Sequence, residues 1–153
     1  MLFRSVMTAA ESGHLVISSI HTPDAATTIG KILGYYSGED RKIMQERLVN
    51  NLKFIISLRL LQSRDLDLGF KRLPAIELLR MNSAIASCLR DPEKLHTIPM
   101  YMHNGYINRQ SWTFDDYILE LYQEKKWIDI ETAKAAFTNP QDMAIRLQGY
   151  QLK

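Results

Sequence analysis

The sequence predicts an α/β fold with few strands in its first half and a set of short helices in its second. Three observations lead there. Residues 13–20 read Gly-His-Leu-Val-Ile-Ser-Ser-Ile and are closed by His21-Thr22-Pro23, the pattern of a short strand buried on both faces. Two later apolar stretches, 54–61 and 70–79, flank a polar turn and suit a hairpin. From Asn82 onward, capping residues, prolines and an Asn-Gly pair recur at the short intervals expected of successive helices.

Pro23 disfavours helix at Thr22. Asp24 stands at the start of a helical stretch whose apolar positions include Ala25, Ile29, Ile32 and Leu33, so His21 falls in the turn between strand and helix. Gly34 and Ser37-Gly38 break that helix. Ser37 can cap a second one, with Glu39 and Asp40 in a first turn where the helix dipole favours acidic groups. Ile43, Leu48, Leu52, Ile55 and Ile56 fall near one of its faces, and its end is open, because 54–61 can continue the helix or become a strand. After the polar turn Ser63-Arg64-Asp65, residues Phe70 to Leu79 read as an extended arm, with Pro74 at an edge or a bulge.

Asn82 or Ser83 can cap a short helix through Leu89, Pro92 and Pro99 bound the next stretch, and Asn104-Gly105 marks a turn. Thr113 with Asp116 is a capping pattern. Asp129 with Thr132 opens another helix, and Asn139-Pro140 places a capping residue before a proline at the first helical position. The sequence has no internal repeat. A doubly buried strand at 13–20 needs neighbours that the other candidates do not supply, so its sheet partners are missing, and the segment is expected to be an exposed apolar edge that makes the isolated chain prone to aggregate.

The 153 residues are 46% hydrophobic and 24% charged, which excludes a disordered tail or a fibre. A chain of this length can bury about 70% of its surface without disulfides, as an upper bound. Nineteen basic against 17 acidic residues give a net charge of +2, too weak a field to predict nucleic acid or anionic lipid as a partner. Cys88 is alone and points to a reducing compartment. No apolar run approaches the roughly 20 residues that span a bilayer, and residues 1–5 lack the apolar core of a secretory signal. His14, His96 and His103 are too scattered for a metal site. The aromatic residues Tyr101, Tyr106, Trp112, Phe114, Tyr117, Tyr122 and Trp127 are read as packing among helices, because basic residues do not interleave with them as on a base-stacking platform.

The run Thr8-Ala9-Ala10-Glu11-Ser12-Gly13-His14-Leu15-Val16, followed by Ser19-Ile20-His21-Thr22, resembles the segment of type II/IV secretion ATPases that leads from just after the Walker B motif into the His box. The likeness continues through Ala26-Thr27-Thr28-Ile29, Ile56-Ser57-Leu58-Arg59-Leu60-Leu61 and Ala75-Ile76-Glu77-Leu78-Leu79. Thr113-Phe114-Asp115, Leu119-Glu120-Leu121-Tyr122 and Thr138-Asn139-Pro140 resemble the C-terminal helices of the pilus retraction branch, the PilT-like twitching motility ATPases. Together these cover roughly residues 7 to 150.

The resemblance implies the C-terminal part of a RecA-like P-loop ATPase core over 1–80, containing the His box, and a helical C-terminal subdomain over 81–153. It also implies an intact protein that binds ATP and Mg2+ and forms a homo-hexamer. That protein would work in the cytoplasm, peripheral to the inner membrane, with the pilus platform as partner and no nucleic acid. No G-x-x-x-x-G-K-[ST] run occurs, and the Walker B strand would lie upstream of Thr8. The expectation is therefore a piece cut between Walker B and the His box, inactive alone and without a cofactor of its own. Leu2-Phe3-Arg4-Ser5 is also what CTC-TTC-CGA-TCT, the end of a common sequencing adapter, encodes, which predicts that the first residues are a read-end addition.

By resemblance, His21 sits near the nucleotide γ-phosphate, where an imidazole can donate a hydrogen bond and report the loss of that phosphate. Thr22 is its companion and Glu11 a third position close to the active site. Arg59 pairs with an acidic neighbour or faces an adjoining subunit. Ala84-Ile85-Ala86-Ser87-Cys88-Leu89-Arg90-Asp91 aligns with the retraction branch's A-I-R-N-L-I-R-E helix, matching it at Ala84, Ile85, Arg90 and the acidic Asp91, and departing from it at Ala86 and Ser87. From periodicity alone, His21 is a turn residue, Thr22 a helix cap, Glu11 a solvated carboxylate, Arg59 an exposed arginine and Arg90-Asp91 a helix-end charge pair. Two other readings stand beside the retraction motor. One is a type II or type IV secretion assembly ATPase, disfavoured for the type II class because one cysteine cannot build its tetracysteine zinc element. The other is a stand-alone accessory module that docks on a full-length ATPase ring.

Overall fold

The chain from Leu2 to Glu11 is helical, not part of the core strand that the resemblance sets upstream of Thr8. The computed structural model describes residues 2–64, 69 and 71–150. After α1 (Leu2–Glu11) come α2 (Ala25–Gly34), α3 (Gly38–Asn51), β1 (Phe54–Gln62), β2 (Arg72–Arg80) and α4 (Ser83–Arg90). A 3-10 helix (Pro92–Thr97), α5 (Ile98–Asn104), α6 (Phe114–Gln123), α7 (Ile130–Ala136) and α8 (Pro140–Tyr150) follow. Asp65 of the expected turn and Phe70 of the expected arm lie outside the described residues.

Local capping chemistry sets most of the helix starts. The Asp24 carboxylate accepts from Thr27 N, that of Asp129 from Thr132 N, and the Asn82 side-chain oxygen from Ile85 N. Thr113 and Asp116 form a reciprocal capping box, each satisfying a backbone N–H that the helix leaves open. Ser37 occupies the cap position of α3 without a side-chain bond.

The open end of the second helix resolves as a strand. Leu52 turns extended after Asn51, and β1 pairs antiparallel with β2 in a two-stranded sheet. Ile56 stands opposite Leu78, Leu58 opposite Ile76 and Leu60 opposite Pro74. Leu78 exchanges two backbone bonds with Trp112 on the outer edge of β2, at 3.0 and 2.9 Å, and the Trp112 indole donates to Ile76 O there. By alternation Pro74 also turns its nitrogen outward, so the ladder loses no bond.

Residues 14–20 correct the expectation of a strand and bear out the exposure that the missing sheet partners imply. They run without regular structure and pair with no strand among the described residues, and Leu15 is 91% and Ile17 88% exposed. The apolar run calls for sheet neighbours, and burial on two faces cannot occur where none lies alongside. Phe54, Ile56, Leu58 and Leu60, along one face of β1, are likewise more than half exposed. The chain exposes 10052 Å², against about 8,000 Å² for a compact monomer of this length.

Two apolar clusters hold the rest. The first gathers Met7, Ile29, Leu33, Met44, Leu48, Leu79, Ile85, Leu89 and Met102. The second gathers Leu61, Leu73, Ala75, Phe114, Ile118, Leu121, Phe137 and Met143. The inner face of β2 runs from one to the other, with Leu73 and Ala75 in the second cluster, Leu79 in the first and buried Glu77 at the seam. The aromatic residues fit the packing expectation only in part. Phe114 is buried and Tyr117 and Tyr122 lean on the second cluster, whereas Trp127 is 39% exposed. Among the described residues, no helix is long and apolar enough to cross a membrane.

Candidate functional site

The turn from His21 to Ala25 is pinned at several points. Asp24 caps α2 through Thr27 N at 2.7 Å. The Thr28 hydroxyl donates to Asp24 O at 2.7 Å and lies 2.6 Å from the Thr22 hydroxyl. Because the Thr28 proton is given to that carbonyl, Thr22 must donate to Thr28, which commits the Thr22 proton inside the turn. Lys31 Nζ donates to His21 O at 3.0 Å. From outside the helix, Glu77 Oε1 accepts from Ala25 N at 2.7 Å. His21 itself is exposed and Thr22 half-buried.

This arrangement decides what the turn can bind. A helix N-terminus ordinarily offers backbone N–H groups to an anion. Here the N–H groups of Ala25 and Thr27 are already taken by the chain's own carboxylates, so the start of α2 is not a phosphate cradle. The exposed imidazole of His21 is the group that can reach an outside ligand.

The other expected residues fall elsewhere. Glu11 ends α1 and is held by Arg47 of α3 at 2.6 and 2.7 Å. Arg59 stacks on the Phe114 ring, 3.9 Å from its centroid, and donates to Ala136 O at 3.2 Å, a set of partners from α6 and α7. Ala84 and Ile85 open α4, where Ile85 is fully buried. Arg90 at its end grips Glu46 of α3 at 2.8 and 3.1 Å. Asp91 caps the 3-10 helix through Glu93 N and bridges Lys94 at 3.0 Å. The structure therefore brings His21 and Thr22 together and places Glu11, Arg59 and the α4 residues in separate contacts.

A second polar cluster lies between α5, α6 and α8, around a cavity of about 260 Å³ lined in part by His103, Tyr106, Glu120 and Arg146. Asp116 Oδ1 meets His103 Nδ1 at 2.6 Å and Arg146 at 2.9 Å, while its Oδ2 closes the capping box with Thr113. Glu120 is bound by Arg109, by Lys125 at 3.2 Å and by the Tyr106 hydroxyl at 3.2 Å. Burial pushes the Glu120 carboxyl up, and the bonds from Arg109 and Lys125 more than offset it, leaving it below the ordinary 4.5. Burial, aided by the Glu120 charge, pushes Tyr106 up to about 12. Among the described residues no group of His, Cys, Asp and Glu side chains is placed to hold a metal ion.

No family model matches the chain. It is 31% identical over 99 residues to a twitching motility protein of Neisseria gonorrhoeae, covering 65% of this chain and 25% of that protein. It is 28% identical over 108 residues to the type IV pilus retraction ATPase PilT of Pseudomonas aeruginosa, covering 71% of this chain and 30% of that one. The crystal structure of the pilus retraction motor PilT with bound ADP superposes with a TM-score of 0.75 at 30% identity, over 92% of this chain and 37% of that chain. The chain matches the C-terminal region of a PilT-type ATPase. It spans about a quarter to two-fifths of the length of these relatives.

The PilT match accounts for the mixed α/β class and for the hairpin followed by short helices. It does not make Glu77, Arg47 or the Asp116 cluster visible in the sequence. Glu77 stands in an apolar strand, Ala-Ile-Glu-Leu-Leu, and a charge at an inward strand position is the one signal that could have marked it. Its partner Ala25 lies 52 residues away, beyond any local pattern. His103 and Asp116 are 13 residues apart on different helices, with no periodic relation between them.

Proposed function

We propose that this chain is the C-terminal part of a hexameric ATPase that powers type IV pilus retraction and twitching motility. In the intact protein, ATP hydrolysis at subunit interfaces would drive the domain movements that disassemble the pilus. The supporting observation is the fit to PilT over 92% of the chain at 30% identity.

In this reading residues 1–80 end the ATPase core and residues 81–153 form the helical subdomain. ATP with Mg2+ binds on phosphate-holding residues outside this chain, and His21 reaches the γ-phosphate from its exposed position at the end of the extended segment. Thr22 and the start of α2 hold the His21 backbone rather than the nucleotide. Glu11 and Arg59 set the packing of α1 and of the hairpin, while α4 with Arg90 and Asp91 supplies the retraction-type helix. The assembled motor works on the cytoplasmic side of the inner membrane, against the pilus platform.

A second reading, an accessory module of the ATPase ring, draws on one departure. Ala86 stands where the retraction branch has its first arginine in the α4 motif, and it is only 8% exposed, so this helix lacks that cation. A chimera decides between them. The C-terminal region of Pseudomonas aeruginosa PilT is replaced by this chain, and ATP turnover and twitching are measured in a strain lacking its own PilT. The expected result is ATPase activity and twitching that His21→Ala abolishes. A chimera that assembles into a ring yet neither hydrolyses ATP nor restores twitching overturns the retraction reading.

A further inference from the structure

We infer that Glu77 is the positioning residue of the His21–Ala25 turn, tying it to the β1–β2 hairpin so that a displacement of the hairpin is felt at His21 and Thr22. The inference rests on the retraction-ATPase reading for what His21 does, and on geometry alone for what Glu77 does.

Of the polar groups that pin the turn, Asp24, Thr28 and Lys31 belong to α2 or its cap and move with it. Glu77 reaches it from another element, across 52 residues. Its position is otherwise hard to explain. It is 7% exposed on the inner face of β2, between Ala75 of one apolar cluster and Leu79 of the other, where an apolar side chain would cost less. The N-terminus of α2 already has a cap in Asp24, so a second carboxylate is not needed to start the helix.

The groups facing Glu77 are few. Ala25 N donates to it, Ser57 stands opposite it on β1, and the charges nearby are Asp24 on α2 and Arg59 on β1. The same Arg59 stacks on Phe114, so the contacts of the second cluster lead through β1 and Glu77 to the turn. Burial holds the Glu77 carboxyl above the ordinary 4.5, which gives its titration a signature that can be followed.

The test is heteronuclear NMR on the 153-residue chain. The amides of His21, Thr22 and Ala25 are followed against pH together with the Glu77 carboxyl carbon. In the unaltered protein, all three amides shift with the Glu77 midpoint. In Glu77→Gln that step disappears and Ala25 stays protected from solvent exchange, because the amide oxygen still accepts its N–H. In Glu77→Met the protection of Ala25 falls by about tenfold, the loss of one buried hydrogen bond, with Leu121 in the second cluster unchanged. Amides that ignore the Glu77 titration overturn the inference, and so does a Glu77→Met protein with Ala25 protection intact. Should Glu77→Met fail to fold, the unaltered protein and Glu77→Gln decide the matter. The readout is the turn, not nucleotide turnover, so failure here leaves the retraction reading standing, and failure of the chimera leaves the Glu77 result standing.

Discussion

Arg47 holds Glu11 through both carboxylate oxygens, at 2.6 and 2.7 Å, joining the end of α1 to the middle of α3. The same guanidinium reaches the Thr8 hydroxyl at 3.2 Å. This fork keeps the Glu11 carboxyl below the ordinary 4.5, because the Arg47 bonds favour the charged form.

Replacing Arg47 with Ala should loosen α1 without unfolding the chain. Both partners are partly exposed, so the effect on global stability is small, and the change is local. Amides of α1 exchange several-fold faster in Arg47→Ala while those of α4 do not change. In the unaltered protein the pair's contribution is present above pH 4.5 and is lost as pH falls through the lowered Glu11 value. Equal exchange rates in the two proteins would mean that Met7, 4% exposed in the first cluster, holds α1 by itself.

Asp116 is expected to be the most costly polar residue of the helical half. Its side chain is 2% exposed and serves the α6 cap, His103 on α5 and Arg146 on α8. Asp116→Ala leaves those donors without an acceptor and should cost about 2–4 kcal/mol in urea unfolding. Arg146→Ala, which removes a partner 30% exposed, should cost no more than about 1 kcal/mol. Comparable losses for the two would contradict the central place of Asp116.

The two clusters should fail separately. Phe114→Ala empties the middle of the second cluster and Ile85→Ala that of the first, at costs of about 3–5 and about 2–5 kcal/mol. Hydrogen exchange should then show α6 and α7 losing protection in Phe114→Ala while α2 and α3 keep theirs, and the reverse in Ile85→Ala. Uniform loss of protection in either variant would show one cooperative unit instead.

What could be read from the sequence was local. The caps at Asn82, Thr113 and Asp129 are short-range chemistry, and each is found where its spacing places it, whereas α2 is capped by Asp24 and not by Thr22. The hairpin was legible as two apolar arms, and its strands could be told from helix only once pairing was seen. Residues 13–20 show the limit of pattern: a continuous apolar run and β-branching state a demand for burial and say nothing of whether the neighbours lie in the same chain. The His21 turn was legible from Pro23 and the helical stretch that follows, while the contacts of Glu77, Arg47 and His103 were not, because their partners lie 52, 36 and 13 residues away.

The uncovered face of β1 should govern solubility. Ile56, Leu58 and Leu60 are 63%, 64% and 66% exposed beside a strand edge with no partner among the described residues, the combination that recruits another edge. Leu58→Lys should raise the concentration at which the chain stays monodisperse in light scattering, with unchanged thermal unfolding. A substitution at buried Leu61 would not separate the two effects. If Leu58→Lys aggregates as readily as the unaltered chain, the exposed 14–20 segment with Ile17 is the sticky element, and Ile17→Lys is the variant that relieves it.

Two buried carboxylates should make stability depend on pH in opposite directions. Glu77 is held above the ordinary 4.5, by burial first and by the Asp24 charge. Its folded form prefers the proton, so its contribution is complete below pH 4.5 and is lost as pH rises through the raised value. Glu120 is held below 4.5, because the Arg109 and Lys125 bonds outweigh burial. Its contribution is complete above pH 4.5 and is lost as pH falls through the lowered value. Urea unfolding across this range should therefore change slope in each variant on a different side. Glu120→Gln flattens the acid limb, since no carboxylate remains to be neutralised beside Arg109 and Lys125. Glu77→Gln removes the decline on the rising side and makes the protein relatively more stable toward neutral pH, because a neutral amide replaces a charge that burial disfavours. A Glu77→Gln protein that keeps the full decline would place the titrating group elsewhere.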